Sequence, residues 1–243
     1  MDVKPFEDQS GSRKEQVRDM FNEIAGSYDF LNHFLSFNTD KRWRKKLVKR
    51  IKKELNVTSV NNILDIATGT GDLAFALSKL PATKITGIDL SVEMLNVARK
   101  KAKIRKSEIE WMEGDSENLP YENEQFDFVT VAFGVRNFEN LEKGLAEILR
   151  VLKPNGVFVI LETSVPDKTP YKQGYTFYSK NILPLIGKIF SKDNVAYGYL
   201  SESAAAFPYG EALNNILKKT GFIDVVAIPQ TFGVATIYSA SKK

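Results

Sequence analysis

The chain of 243 residues has no cysteine, one histidine, His33, and no apolar run near the ~20 residues that span a bilayer. Without cysteine there are no disulfides, no thiolate-ligated zinc and no thiolate nucleophile, which also excludes the pyrimidine C5-methylation chemistry that needs one. Residues 1–12 are polar and lack the apolar stretch of a secretory signal, so the expected compartment is the cytoplasm. Internal repeats and low-complexity linkers are absent as well. His33 tempts as a general base, but a packed or surface histidine is the simpler expectation.

What is present is a globular composition, 43% hydrophobic and 26% charged, with a net charge of +4. Nine basic residues fall within residues 41–53, while Trp43, Leu47, Val48, Ile51 and Leu55 share one helical face. This reads as a surface helix with a basic outer side, either simply solvated or lying near anionic lipid headgroups or nucleic acid.

Periodicity predicts helices near residues 13–26 and 39–55, joined by Tyr28-Asp29-Phe30-Leu31-Asn32. From residue 61 strands alternate with helices. Strands are expected at 62–67, 84–89, 109–112, 126–133 and 157–161, and helices at 72–80, after a Ser91 cap, and at 141–152. Lys153-Pro154-Asn155-Gly156 reads as a turn. A helical, aromatic-rich insertion at about 165–208 interrupts the alternation, followed by a helix at 209–220 that Gly221 ends. Segments 224–229 and 233–239 have no crossover helix between them and should form a hairpin. The expected fold is α/β: a Rossmann-like seven-stranded sheet with its last strand antiparallel and helices on both faces. Residues 1–60 would be a helical cap over the active site, and 61–243 the catalytic domain with its lid insertion.

The first strand runs into Asp65-Ile66-Ala67-Thr68-Gly69-Thr70-Gly71. Glycines here let the backbone turn tightly against a ligand, and Asp89 ends the second strand where it would hold ribose hydroxyls. On their own these features fit a dinucleotide or a sulfonium nucleoside equally. Three others favour the sulfonium, S-adenosylmethionine. Asp65 precedes the glycines, where a carboxylate suits an ammonium group and repels a pyrophosphate. Asp115 and Ser116 close the third strand, suited to an adenine edge. The terminal hairpin is foreign to a dinucleotide fold.

These residues resemble the class I methyltransferases. More closely, the chain is similar over roughly residues 14–240 to the quinone C-methyltransferases of the UbiE/MenG type. The resemblance is carried by Tyr28–Asn32 with Leu35-Ser36-Phe37 and Trp43, by Phe133-Gly134-Val135-Arg136-Asn137, by Arg150–Pro154 and by Leu161-Glu162-Thr163-Ser164. Departures are Leu31, Asp40 and Asn155, where that family commonly has methionine, histidine and glycine, and Ala132, where a serine contact is usual. The resemblance implies cofactor contacts at Thr70, Asp89, Asp115 and Ser116, joined by Asp65 and Gly69 from the turn. It implies methylation of demethylmenaquinol, a prenylated naphthoquinol, or else of another lipid-like or small aromatic acceptor, with no metal. Arg136 and Asn137 are expected to orient the ring oxygens, with Tyr28 and Asp29 as second candidates. Arginine stays protonated, so Arg136 suits a developing phenolate better than proton removal. The fourth strand lacks the Asn/Asp-Pro-Pro-aromatic sequence of nucleic-acid amino-methyltransferases, which argues against a nucleic-acid partner. In the insertion, Phe177, Ile182, Leu183, Leu185, Ile186, Ile189 and Phe190 are expected along a groove for the apolar tail, or in the core beneath a lid.

Overall fold

The computed structural model describes residues 3–6, 10–55, 59, 61–81, 83–182 and 194–243. The expected groove residues Leu183, Leu185, Ile186, Ile189 and Phe190 lie outside the described residues, as does the Ile182 side chain.

Three helices come first: α1 (Arg13–Ile24), α2 (Tyr28–Leu35) and α3 (Thr39–Lys52). Ser12 starts α1 with a reciprocal pair, its hydroxyl accepting from Glu15 N–H while the Glu15 carboxylate accepts from Ser12 N–H. The expected linker at 28–32 is therefore itself helical. Its aromatic and leucine spacing puts Leu31 inward and leaves Phe30 and Phe34 exposed. In α3, Trp43, Leu47 and Ile51 are buried as their shared face predicts. One basic residue departs from the outer side: Arg44 is buried against Asp40.

The alternating part comprises β1 (Asn61–Ile66), α4 (Asp72–Leu77), β2 (Thr83–Asp89), α5 (Val92–Arg105), β3 (Glu110–Glu113), β4 (Phe126–Ala132), α6 (Leu141–Val151) and β5 (Leu152–Thr163). A 3₁₀ turn (Val135–Asn137) follows β4. Beyond β5 come α7 (Tyr171–Phe177) with a π-helical extension (Tyr178–Ile182), α8 (Asn194–Ala206), α9 (Glu211–Thr220), β6 (Ile223–Gln230) and β7 (Ala235–Ser241). The sheet order is β3-β2-β1-β4-β5-β7-β6, with β7 antiparallel to both of its neighbours. The expected seven-stranded α/β fold with its closing hairpin is the one observed. Lys153–Gly156 makes its turn inside β5: Phe126 pairs with Leu152 and Phe128 already with Val157, so four residues bulge out of the ladder.

One core, with Val129, Val131, Leu145 and Leu217, covers one side of the sheet, and another, with Leu47, Ile63, Leu77 and Val159, covers the other. A smaller cluster of Val17, Met20, Met94 and Tyr199 seats α1 on α5 and α8. The chain order reverses between β1 and β4, the place where open α/β sheets bind ligands beyond the strands' carboxyl ends. From α7 and its extension Tyr175 and Tyr178 turn inward to line the apolar cavity described below, whereas Phe177 is exposed and is not among that cavity's walls.

A charge network holds α2 and α3 to the start of α4. Asp40 accepts from Ser36 Oγ at 2.6 Å, lies 2.7 Å from His33 Nδ1 and pairs with Arg44. His33 Nε2 lies 3.3 Å from Asp72, so the lone histidine is packed between two carboxylates. Burial alone would push the Asp40 carboxyl upward, but the Ser36 hydroxyl, Arg44 and His33 outweigh it and hold the group below its ordinary range. A carboxylate with a depressed folded pKa adds stability above its unfolded pKa and loses it as pH falls through the folded one. Asp40→Ala would leave buried Arg44 with Asp72 alone, at 3.8 Å, and should cost about 3 kcal/mol near neutral pH, read from urea unfolding. The gap from wild type should narrow as pH falls below about 4.

Candidate active site

The site is built where β1 and β4 end. After Ile66 the chain turns through Ala67 and Gly69, both at positive φ (50° and 56°), and Gly71 (84°) opens α4. A Cβ at Gly71 would lie 2.4 Å from the Trp111 ring, so that position is closed to a side chain. At the end of β4, Phe133 also has positive φ, 59°, and a Cβ on Gly134 would come within 2.5 Å of Ala67 Cβ. Ala67 and Phe133, both in the left-handed region, thus end the two strands on either side of the switch point.

Beside this junction lies a cavity walled by Gly69, Asp89, Leu90, Met94, Gly114, Ser116, Gly134 and Asn137, and closed by Lys14, Val17, Phe21 and Tyr28. Asp89 accepts from Gly69 N–H at 2.7 Å and from Ser91 N–H at 2.8 Å. Burial raises its pKa, while those N–H groups and that of Leu90 oppose the rise. The carboxylate keeps acceptor capacity beyond these N–H groups, which a ribose diol, as the donor, can fill. With apolar Leu90 and Met94 alongside, these residues fit an adenosine-bearing cofactor.

A second, larger cavity is mostly apolar, with Ile24, Leu31, Leu35, Trp43, Tyr175, Tyr178, Leu200 and Val234 among its walls. Arg136 is its buried cation. Tyr28 and Phe133 line both cavities, so the two meet at these rings. Arg136 pairs with Glu162 across 2.5 Å. Burial opposes the guanidinium charge, but Glu162 and the nearby Tyr28 and Tyr199 outweigh it and hold its pKa above the ordinary value, so the group stays cationic.

Of the ten expected site residues, Gly69, Asp89, Ser116, Asn137 and Tyr28 line the first cavity, and Tyr28 and Arg136 the second. Asn137 Oδ1 accepts from the Tyr199 hydroxyl at 3.1 Å. Of the other four, Asp65 and Thr70 line a smaller adjoining cavity that shares Tyr28, Ala67 and Gly69 with the first, and Asp115 and Asp29 are held in ion pairs. Asp115 is bound to Lys14 at 2.7 Å. Thr70 donates to Asp29, which also pairs with Lys101 at 2.8 Å. Asp65 lies under the glycine turn, accepting from the hydroxyls of Thr68 and Thr130, each at 2.6 Å. Burial raises its pKa to about 6 even against those two donors.

Several residues at the site carry no individual signal in the sequence. Arg13 donates to the carbonyls of Arg136 and Phe138, each at 2.8 Å, and to the Tyr199 hydroxyl at 3.0 Å, fixing the 3₁₀ turn to α1 and α8. Glu117 pairs with Lys14 and accepts from Glu139 and Asn140 N–H. Glu162 was legible as the one carboxylate at the end of an otherwise apolar strand.

The sequence matches the model of the ubiE/COQ5 methyltransferase family over residues 9–242. A demethylmenaquinone methyltransferase of Bacteroides fragilis is 44% identical over 243 residues, which cover 99% of this chain and 97% of that one. Another, from Chlorobaculum tepidum, is 45% identical over 229 residues, covering 94% and 93%. A solved SAM-dependent methyltransferase of Thermotoga maritima, a possible histamine N-methyltransferase, is similar with a TM-score of 0.64 over 93% of this chain and all (100%) of its own, at 20% identity; that likeness is one of fold.

The raised Asp65 pKa has a consequence for folding. The folded chain keeps this proton up to about pH 6 while the unfolded one releases it near pH 4, so the group lowers stability as pH rises between them. Asp65→Asn should remove a loss on the order of 3 kcal/mol, measured as the wild-type-minus-variant difference in urea unfolding free energy at pH 4 and pH 7. An unchanged difference would contradict this.

Proposed function

The chain belongs to the ubiE/COQ5 methyltransferase family, an S-adenosylmethionine-dependent class, and on that premise we propose that it methylates a ring carbon of demethylmenaquinol to give menaquinol. The observation that carries this reading is the meeting of an Asp89-lined cavity with a larger, mostly apolar one at Tyr28 and Phe133. When bound, the cofactor supplies an electrophilic methyl group on a sulfonium.

The chain's own residues do the rest. Asp89, Gly69 and Ser116 hold the nucleoside side, while Asp65 and Thr70 fix the glycine turn to β4 and to α2. Asp115, tied to Lys14, joins α1 to the adenine end. Tyr28 and Phe133 form the wall through which the methyl group passes, and packing on both sides keeps water from it. Arg136 faces the acceptor, where its fixed charge stabilises a developing phenolate, and Asn137, held by Tyr199, orients the ring from the cofactor side. Asp29 holds α2 through Lys101 and Thr70 and does not touch the acceptor. Holding the ring in line is worth up to ~7–11 kcal/mol of the barrier.

Incubation with methyl-labelled S-adenosylmethionine and reduced demethylmenaquinone tests this directly. Labelled menaquinol is the expected product, and no label in any prenylated naphthoquinol would sink the reading. Arg136→Lys keeps the charge but loses the planar fork, and should lower kcat on the order of 10²-fold with the fold intact by circular dichroism.

Among the described residues no helix is long and apolar enough to cross a membrane. We place the protein in the cytoplasm, meeting its lipid-soluble substrate at the bilayer surface. The support is the exposed side of α3, with Lys41, Arg42, Lys45, Lys46, Lys49 and Lys52, and the exposed Phe30, Phe34 and Phe37 of the neighbouring α2 region. Binding to vesicles of anionic lipid should fall as salt rises, and charge reversal at Lys45, Lys46 and Lys49 should abolish it. Salt-independent binding would leave these lysines merely solvated.

A further inference from the structure

Arg44 is buried, 7% exposed, but only partly paired. Its polar contacts run through one nitrogen: Nη1 donates to Asp40 and lies 3.8 Å from Asp72. Nε and Nη2 make no hydrogen bond among the described residues, yet they are not sealed off as Arg136 Nε is. These two nitrogens share one edge of the guanidinium plane, the fork that takes a carboxylate through two parallel hydrogen bonds. Arg44 lines the small cavity together with Tyr28, Asp65, Gly69, Thr70 and Asp72. That cavity adjoins the first along Tyr28, Ala67, Gly69 and Ala132, and only the first reaches Asp89. The other cations lining the first and the apolar cavity are already committed, Lys14 to Asp115 and Glu117, Arg18 to Asp19, and Arg136 to Glu162.

We propose that Arg44 is the ligand of the cofactor's carboxylate, and that the small cavity seats the amino-acid end of S-adenosylmethionine. The sulfur of that cofactor carries a short chain ending in an ammonium and a carboxylate. With the carboxylate on the free fork of Arg44, the ammonium has the acidic walls, Asp65 and Asp72, to balance it. The end group is neutral overall, so it adds no net charge to a buried site, where an unpaired charge is costly. Asp40, one turn earlier on α3, holds Nη1, so the fork is in place before the cofactor arrives. Arg44 thereby ties α3 to cofactor binding and selects for ligands that keep the carboxylate. The inference rests on the assignment of S-adenosylmethionine to the first cavity and extends it.

The test is calorimetric binding of three nucleosides to the whole protein. They are S-adenosylhomocysteine, its decarboxylated amine, and methylthioadenosine, which lacks the whole end group. Wild type should bind S-adenosylhomocysteine at least about tenfold more tightly than the decarboxylated amine. Arg44→Gln should weaken S-adenosylhomocysteine about tenfold or more and leave methylthioadenosine within about threefold, so the preference for the carboxylate collapses. Arg44→Lys keeps the charge without the fork, and its preference should fall between the two. A merely structural role for Arg44 would weaken all three ligands together, and that result overturns the inference. Equal binding of the acid and the amine by wild type overturns it too, while leaving the first cavity as a nucleoside site. If none of the three binds wild type, the cofactor assignment of the first cavity falls, and this inference with it. Should Arg44→Gln not fold, the loss of preference is read in Arg44→Lys, whose ammonium still pairs with Asp40.

Discussion

The carboxyl ends of β1 and β4 pass so closely at Ala67 and Gly134 that a single added Cβ would leave 2.5 Å between carbons. That closeness sets the site. It forces positive φ on Ala67 and Phe133, turns the glycine loop outward beside Asp89, and swings the Phe133 ring into the wall between the two cavities. Asp65, bonded to Thr68 on its own turn and to Thr130 on β4, ties the two strand ends together from below. A buried carboxylate with a raised pKa is a cost in folding energy, and here it sits under the loop that must stay in place.

The second organising feature is how the first three helices are fastened. Hydrophobic packing seats α1 and α3, but charge decides their register: Arg13 on the 3₁₀-turn carbonyls, Lys14 on Asp115 and Glu117, Asp29 on Lys101, and Arg44 with His33 between Asp40 and Asp72. Most of these fastenings end on or next to a strand-end loop of the site, whereas Lys101 reaches Asp29 from within α5. The cap and the cofactor cavity are therefore one structure, and loss of a fastening partner would be felt as altered binding as well as reduced stability.

Much of this was legible in the sequence. Strand and helix alternation, the glycine turn, Asp89 and the closing hairpin follow from local patterns, because period and turn chemistry act over a few residues. The helix at Tyr28–Leu35 was missed because its short, aromatic-rich stretch looks like a linker until Leu31 has a pocket to fill. Arg44 was assigned to the solvated face because nothing in its neighbours reveals that Asp40 turns inward. The same limit applies to Asp115 and Asp29: residue type marked them as polar site groups, but whether a carboxylate faces a cavity or a cation beside it depends on contacts up to a hundred residues apart, such as Lys14 with Asp115. Glu162 shows the reverse, a lone carboxylate on an apolar strand whose importance appears only once Arg136 is found beside it.

The central claim is that two cavities meet at Tyr28 and Phe133, one for the nucleoside and one for the ring. A crystal structure with S-adenosylhomocysteine and a naphthoquinol analogue tests it most directly. The account predicts the ribose on Asp89, the sulfur facing Tyr28 and Phe133, and the ring beyond them against Arg136. A ring bound elsewhere, or a nucleoside lying in the larger apolar cavity, would contradict it.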